Sequence, residues 1–361
     1  MGILNNLLSV SAPGGLWGGL INWLSGGIAN YAVVLIVLTL MVRAVILPLD
    51  IVNKYTSKIN SRKQAEIKPI IDKIQKQYAN NKEMLNKKTM EAYRANNYNI
   101  FGTCFTLLVY MVLTMVIFFT LFSSLNKMSA YKIYNQYIDL RATYAHELNL
   151  DENATDEQIV SAATITEEST EEQKALVAKA NAAVVARFDQ TKESFLWIKN
   201  IWRPDSSGKP VLDYKTFVSS SKLSDEEKAN ITEACYNIVI NPVQEANSGW
   251  NGYFILAIVA AGSTLLSFYT NTLISKWRAK KKNKEFIKDA SSSKTMLFVM
   301  PAIMGLFTLL YNAAFGIYIV TGNLFAVLTG PLVTLFVEWL DEIKQSKEKA
   351  KNKTVSYSRK K

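Results

Sequence analysis

The chain has 361 residues, 49% of them hydrophobic, and its 41 lysines and arginines exceed its 30 acidic residues to give a net charge of +11. The apolar residues are concentrated in blocks, which is typical of an integral membrane protein and argues against a soluble one. With two cysteines and a single histidine, His146, the sequence predicts neither a disulfide framework nor a metal site. It predicts no cofactor, because it contains no nucleophile constellation or phosphate loop.

The first segment, residues 1–27, is rich in Gly, Leu and Trp and carries no charged residue. Without a positively charged start, a cleaved signal peptide is not expected. The composition favours an amphipathic helix on the outer face of the membrane. Trp17 and Trp23 would then be interfacial anchors at the level of the headgroups.

The first predicted span, residues 28–50, contains Arg43. An apolar window of about 22 residues crosses the hydrocarbon core at ~1.5 Å per residue. A cation in such a window marks a functional site by default, although near the membrane surface it can simply extend to the headgroups. Asp and Glu occur at the ends of the apolar windows but not inside them. Arg43 therefore favours a wet groove that receives an acidic group.

The charges between the predicted spans alternate in sign. Residues 51–98 carry +7 and an apolar stripe at helical spacing, which predicts a basic helical hairpin. Residues 126–251 carry −6, whereas residues 276–294 and 341–361 carry +6 and +5. The positive-inside rule then places the N-terminus outside and the basic loop and tail in the cytoplasm. The further spans are predicted at residues 100–125, 252–275, 295–312 and 315–340.

The sequence thus predicts an all-α polytopic membrane protein with five transmembrane helices, a cytoplasmic basic helical hairpin and a large, mostly helical extracytoplasmic insertion. Polar residues recur in the spans. In the third span Thr264, Ser267 and Asn271 follow at spacings of three and four, so they share one face of the helix. Most intramembrane Ser and Thr serve helix packing, and that alternative stays open.

Five short motifs follow one another along the chain. They are LTLMVRAVILPLD around Arg43, FLWI at 195–198, YFIL at 253–256, MP at 300–301 and GIYIVTGN at 316–323. In this order they resemble the motifs of the YidC-type membrane protein insertases. The resemblance covers roughly residues 28–125 and 194–340, and residues 126–193 look like an insertion.

The resemblance implies an insertase, which is not an enzyme, with a hydrophilic groove open to the cytoplasm and to lipid. The groove would attract the acidic tail of a nascent membrane protein through Arg43 and release its apolar segment into the bilayer. The aromatic FLWI piece is interpreted as a further interfacial anchor through Phe195 and Trp197. The expected groove residues are Arg43, Thr106, Thr264, Ser267, Asn271 and Asn323.

The expected location is the bacterial plasma membrane, with nascent membrane proteins and the lipid bilayer as partners. The basic cytoplasmic segments add the ribosome and a Sec-type translocon as candidate partners, although topology alone explains their sign. Two other classes of protein remain as alternatives. A small-molecule or ion transporter is disfavoured because the spans contain no carboxylate for proton coupling and no inverted repeat. A membrane scaffold or sensor would act through residues 126–250.

Overall fold

The computed structural model describes residues 14–96, 98, 100–151, 153–221, 230–281 and 294–358, and within these ranges it contains eleven α-helices. They are α1 (Gly15–Gly27), α2 (Tyr31–Gln77), α3 (Lys82–Ala95), α4 (Ile100–Glu147), α5 (Asp156–Ala163), α6 (Glu171–Thr191), α7 (Tyr214–Ser221), α8 (Glu233–Ala246), α9 (Ile255–Lys281), α10 (Lys294–Leu310) and α11 (Ala313–Ser358).

Four helices, α2, α4, α9 and α11, contain stretches long and apolar enough to cross a membrane. The predicted span at residues 295–312 corresponds to α10, which is apolar but has only 17 residues. The protein is therefore an all-α multi-pass membrane protein, as the sequence predicted. The count of five spans stays a prediction.

Helix α2 does not end where the first predicted span ends. The sequence placed that end at Asp50, yet the helix continues to Gln77 and includes the first arm of the predicted hairpin. Pro48 and Pro69 lie inside it, and each removes one main-chain hydrogen bond without ending the helix. The second arm, α3, begins after Asn81, whose side chain accepts a hydrogen bond from a backbone nitrogen of the first turn. The hairpin is thus a direct extension of the first span.

Helix α4 likewise runs beyond residue 125, the predicted end of the second span, and reaches Glu147. Its earlier part exposes a series of large apolar side chains, as expected of a helix that contacts lipid. Its later part instead buries Tyr134, Leu140 and Tyr144. The exposed apolar side chains include Phe105, Leu108, Val109, Val112, Val116 and Phe119.

The chain divides into two compact units. The first unit comprises Met1–Leu38, Phe119–Ala260 and Met304–Ile319, and the second comprises Thr39–Phe118, Ala261–Ile303 and Val320–Lys361. In the first unit an aromatic cluster of Tyr137, Phe217 and Tyr236 joins α4, α7 and α8, with ring centroids 4.7–5.0 Å apart. Buried rings at these distances contribute strongly to a helical core.

A buried ion pair holds α5 against α4 in the first unit. Arg141 donates two hydrogen bonds, of 3.0 and 2.8 Å, to Oδ1 of Asp156 and a third to the carbonyl of Ala154. Oδ2 of Asp156 accepts from the backbone nitrogen and the hydroxyl of Thr232, just before α8. Both charged side chains are buried, so these hydrogen bonds replace the water that each charge has lost.

A non-helical segment of the first unit, residues 193–206, contacts the starts of three long helices, and we call it the clasp segment. The first N–H groups of a helix lack partners within the helix, and the clasp segment supplies acceptors for several of them. Two acceptors are side chains: Glu193 accepts from the backbone nitrogen of Tyr31, and Asp205 accepts from that of Leu256. Two are backbone carbonyls: that of Arg203 accepts from the nitrogen of Ala313, and that of Ile201 accepts from the nitrogen of Ala314.

Candidate functional site

Arg43 lies on α2 in the second unit, with its head group against the backbone of α11. Val42 and Ile46 are buried one turn apart, so Arg43 lies at the edge of the packed face of α2. A Cβ atom built on Gly322 of α11 would be 2.7 Å from Nη2 and 2.9 Å from Nε of the guanidinium. The guanidinium therefore occupies the space that a larger residue at this position would fill.

The Nε atom of Arg43 is buried and has no hydrogen-bond partner among the described residues. A buried donor without an acceptor destabilises a fold by about 1–3 kcal/mol. The ion pairs that α2 forms in the second unit involve other cations, namely Lys58 and Arg62. Arg43 thus retains at Nε a hydrogen-bond donor that the described part of the protein does not use.

A polar cluster joins α9 and α11 at the residue next to Gly322. Nδ2 of Asn323 donates to the hydroxyls of Ser263 (3.1 Å) and Thr264 (2.7 Å), both of which are buried. Two predicted groove residues, Thr264 and Asn323, are therefore brought together. Ser263 was not predicted, because nothing in the sequence distinguishes it from a hydroxyl that serves helix packing.

A second polar cluster surrounds Asn271 of α9. Its Oδ1 accepts a hydrogen bond of 3.1 Å from Nζ of Lys54, which also donates to the hydroxyl of Thr334. A Cβ atom built on Gly330 would be 2.5 Å from Oδ1 of Asn271. Lys54 lies eleven residues after Arg43, about 16 Å along the same face of α2. The sequence analysis treated Lys54 only as one of the basic residues of the hairpin and did not predict its contact with Asn271.

Ion pairs continue along the same three helices beyond Asn271. Glu338 of α11 accepts from Nε of Arg278 (2.8 Å) and forms an ion pair with Lys58 (3.2 Å). Asp341 pairs with Arg62 at 2.8 Å. Lys58 and Arg62 are four residues apart, hence on one face of α2. The charges that indicated topology in the sequence thus also link α2, α9 and α11.

Two predicted groove residues remain, Ser267 and Thr106. Ser267 is half-buried, and its carbonyl accepts hydrogen bonds from Thr270 and Asn271 within α9. The side chain of Thr106 lies outside the described part of the structure. Among the described residues, no group of three or more His, Cys, Asp or Glu side chains is arranged to hold a metal ion.

The four predicted interfacial anchors belong to the first unit. Trp17 donates a hydrogen bond of 3.0 Å to the hydroxyl of Thr120, and Trp23 is largely exposed. Phe195 and Trp197 are half-buried in the clasp segment, where a bridge between Phe195 and Ile198 closes a tight turn. Contact of these side chains with a membrane interface stays a prediction.

The fold and these clusters define a multi-pass α-helical membrane protein that holds a cation and hydrogen-bonded polar groups in its apolar helices. Residues 23–337 match the family described as 60Kd inner membrane protein. The chain belongs to this family, and the resemblance seen in the sequence is confirmed.

Several curated relatives are named membrane protein insertase YidC. The relative from Fusobacterium nucleatum subsp. nucleatum is 31% identical over 99 residues, which is 27% of this chain and 46% of the relative. The relative from Clostridium perfringens is 37% identical over 91 residues, covering 25% and 37%. The relative from Caldanaerobacter subterraneus subsp. tengcongensis is 31% identical over 114 residues, covering 32% and 52%. The matched part thus spans about half of these relatives or less. No solved structure matches the chain.

Proposed function

We propose that the protein is a membrane protein insertase and chaperone that receives the polar tail of a substrate in a hydrophilic groove and releases the apolar segment into the bilayer. Family membership supports the general activity. The observation that carries the mechanism is Arg43, a cation in an apolar helix whose Nε lacks an acceptor among the described residues.

In this mechanism Arg43 attracts an acidic group of the substrate tail. The attraction is much stronger in a groove of low dielectric constant than in water. Thr264, Ser267, Asn271 and Asn323 line the path with polar atoms, and we include Thr106 on the basis of the sequence. These groups hydrogen-bond to water and shorten the apolar distance that the tail crosses. Burial of the substrate's apolar segment in lipid then drives insertion.

The proposed location is the bacterial plasma membrane, with the N-terminus outside and the hairpin, basic loop and tail in the cytoplasm. These basic segments would contact anionic lipid and ribosomal RNA, and a Sec-type channel is a further candidate partner. Removing Lys347–Lys361 is expected to weaken co-sedimentation with translating ribosomes. Unchanged co-sedimentation would refute the ribosome contact.

The test of the main proposal is the insertion of a single-span protein with an acidic outer tail into vesicles that contain the purified protein. Wild type is compared with Arg43→Ala and Arg43→Lys. Lys68→Ala is the matched control, because Lys68 is an exposed cation on the same helix. Insertion should be lost with Arg43→Ala and kept with Arg43→Lys and Lys68→Ala.

Equal insertion by all four proteins would mean that Arg43 only extends to the headgroups, and the groove mechanism would be wrong. Failure of the wild type to insert any substrate would instead overturn the insertase activity. It would favour the scaffold hypothesis for residues 126–250.

A further inference from the structure

We infer that Gly322 is a positioning residue for Arg43. Because glycine has no side chain, the guanidinium lies in a seat against the backbone at Gly322, with Nε and Nη2 nearest to it and Nη1 left for an acidic group. This inference rests on the proposed function and adds the element of α11 that orients the cation.

The atoms that lie closest to Gly322 all belong to the head group of Arg43. The three atoms nearest to a Cβ built on Gly322 are Nη2 (2.7 Å), Nε (2.9 Å) and Cζ (3.2 Å), all of them from Arg43. Contacts below about 3.0 Å are not tolerated, so a methyl group here would force the guanidinium to move. Because these atoms are the far end of a long side chain, the head group can shift without separating the helices.

Packing between helices is the other common reason for a glycine in a membrane helix. Gly316, earlier in α11, fits that reason, because its nearest neighbours are apolar atoms of Leu256 and Thr308. At Gly322 the nearest atoms are those of the guanidinium. Backbone strain is not the reason either, because Gly322 is not among the residues with a positive φ. Since glycine is less favourable than alanine inside a helix, the space for Arg43 is the remaining explanation.

The seat also determines which atoms of Arg43 can bind an anion. Nε is buried without an acceptor, and together with Nη2 it faces the backbone at Gly322. Nη1 is the guanidinium nitrogen that is not among the atoms nearest to Gly322, and it is therefore the donor left for a carboxylate. A methyl group at position 322 would change that presentation and leave the charge as it is.

The experiment uses the insertion assay with two substrates, one with an acidic tail and one with the acids replaced by amides. Gly322→Ala is compared with Gly262→Ala, a glycine of α9 whose added Cβ would meet no atom within 4 Å. We expect Gly322→Ala to lower insertion of the acidic substrate below that of wild type, because the displaced guanidinium no longer faces the acidic tail. Insertion of the amide substrate should change little, and Gly262→Ala should behave as wild type with both. Thermal unfolding in detergent checks that both variants are folded.

Two combined variants separate positioning from packing. In the Arg43→Ala background, Gly322→Ala should cause no further loss, because the group that it displaces is absent. In the Arg43→Lys background, Gly322→Ala should also be tolerated, because the ammonium lacks the flat head group. Normal insertion by Gly322→Ala alone would overturn the inference, as would an equal loss when Gly322→Ala is made in the Arg43→Lys background. If Arg43→Ala itself inserts as well as wild type, the proposed function fails first, and this result is read independently of Gly322.

Discussion

Oδ2 of Asp205 accepts a hydrogen bond of 3.0 Å from the backbone nitrogen of Leu256, in the first turn of α9. The backbone carbonyl of Asp205 also accepts a hydrogen bond from the nitrogen of Gly252 (3.1 Å). Asp205 is completely buried, and its Oδ1 has no hydrogen-bond partner among the described residues. One residue of the clasp segment thus supplies two acceptors to the beginning of α9, where partners within the helix are missing.

We predict that Gly252→Ala destabilises the first unit, because a Cβ atom at this position would overlap Oδ1 of Asp205. Overpacking of a buried contact typically lowers the free energy of unfolding by about 1–3 kcal/mol. The matched control is Gly208→Ala, where an added Cβ would meet no atom within 4 Å. Thermal unfolding in detergent should show a lower midpoint for Gly252→Ala only. Equal midpoints would mean that the contact relaxes without loss.

We predict that Asp205 makes the stability of the first unit depend on pH. Burial raises the pKa of this carboxyl, and the hydrogen bond from Leu256 opposes the shift only in part. Because the folded pKa is higher than the unfolded value of about 3.9, the ionised carboxyl destabilises the fold above the folded pKa. This destabilisation disappears as the pH falls below the pKa of the carboxyl in the unfolded protein.

The measurement is the unfolding midpoint of wild type and Asp205→Asn from about pH 8 down to about pH 3, which extends below the unfolded pKa of about 3.9. The midpoint of wild type should rise relative to that of Asp205→Asn as the pH falls. The comparison cancels the titration of the other carboxyls. A difference that stays constant with pH would contradict the prediction.

We predict that Arg141→Ala is strongly destabilising. It removes the cation from a pair in which both side chains are buried and leaves Asp156 charged and enclosed. Breaking such a pair on one side lowers the free energy of unfolding by about 3–5 kcal/mol. Arg187→Ala is the control, since Arg187 also donates two hydrogen bonds to a carboxylate, that of Asp139, but this pair is partly exposed. Its loss should stay at about 0–1 kcal/mol. Similar losses for the two variants would refute the role given to burial.

We predict that Glu338→Gln weakens the association of α2, α9 and α11 in the second unit. The carboxylate is mostly buried and faces both Arg278 and Lys58, so a neutral amide leaves two cations facing each other. Hydrogen bonds to charged groups contribute about 1.5–3 kcal/mol each, less where they are exposed. Glu91→Gln, which removes a surface pair with Lys88, should have no measurable effect on chemical denaturation. An equally small effect of Glu338→Gln would show that the shared carboxylate contributes nothing.

The helices and the cation could be predicted from the sequence because both follow from local patterns. Long apolar runs fix the membrane helices, and Arg43 is conspicuous in one of them. The ends of the membrane spans stay predictions, because a helix can leave the membrane without a break. The first predicted span ends at Asp50, whereas helix α2 continues to Gln77.

The partners of the site residues could not be predicted, because they come from distant parts of the chain. Lys54 and Thr334 meet across 280 residues of sequence, and no local pattern marks either of them. Gly322 carries no side chain whose chemistry could identify it. The sequence analysis interpreted the clasp segment through its aromatic side chains. Two of its four contacts with the helix starts are instead made by backbone carbonyls, which are the same in every sequence.

The continuity of α2 has a mechanical consequence within the second unit. From Arg43 to Gln77 the chain is a single helical rod of about 50 Å, since each residue adds ~1.5 Å. A helix without a break can carry a movement of the turn that follows Gln77 towards Arg43. Pro48 and Pro69, which each interrupt the hydrogen-bond ladder, are the points at which bending would absorb that movement.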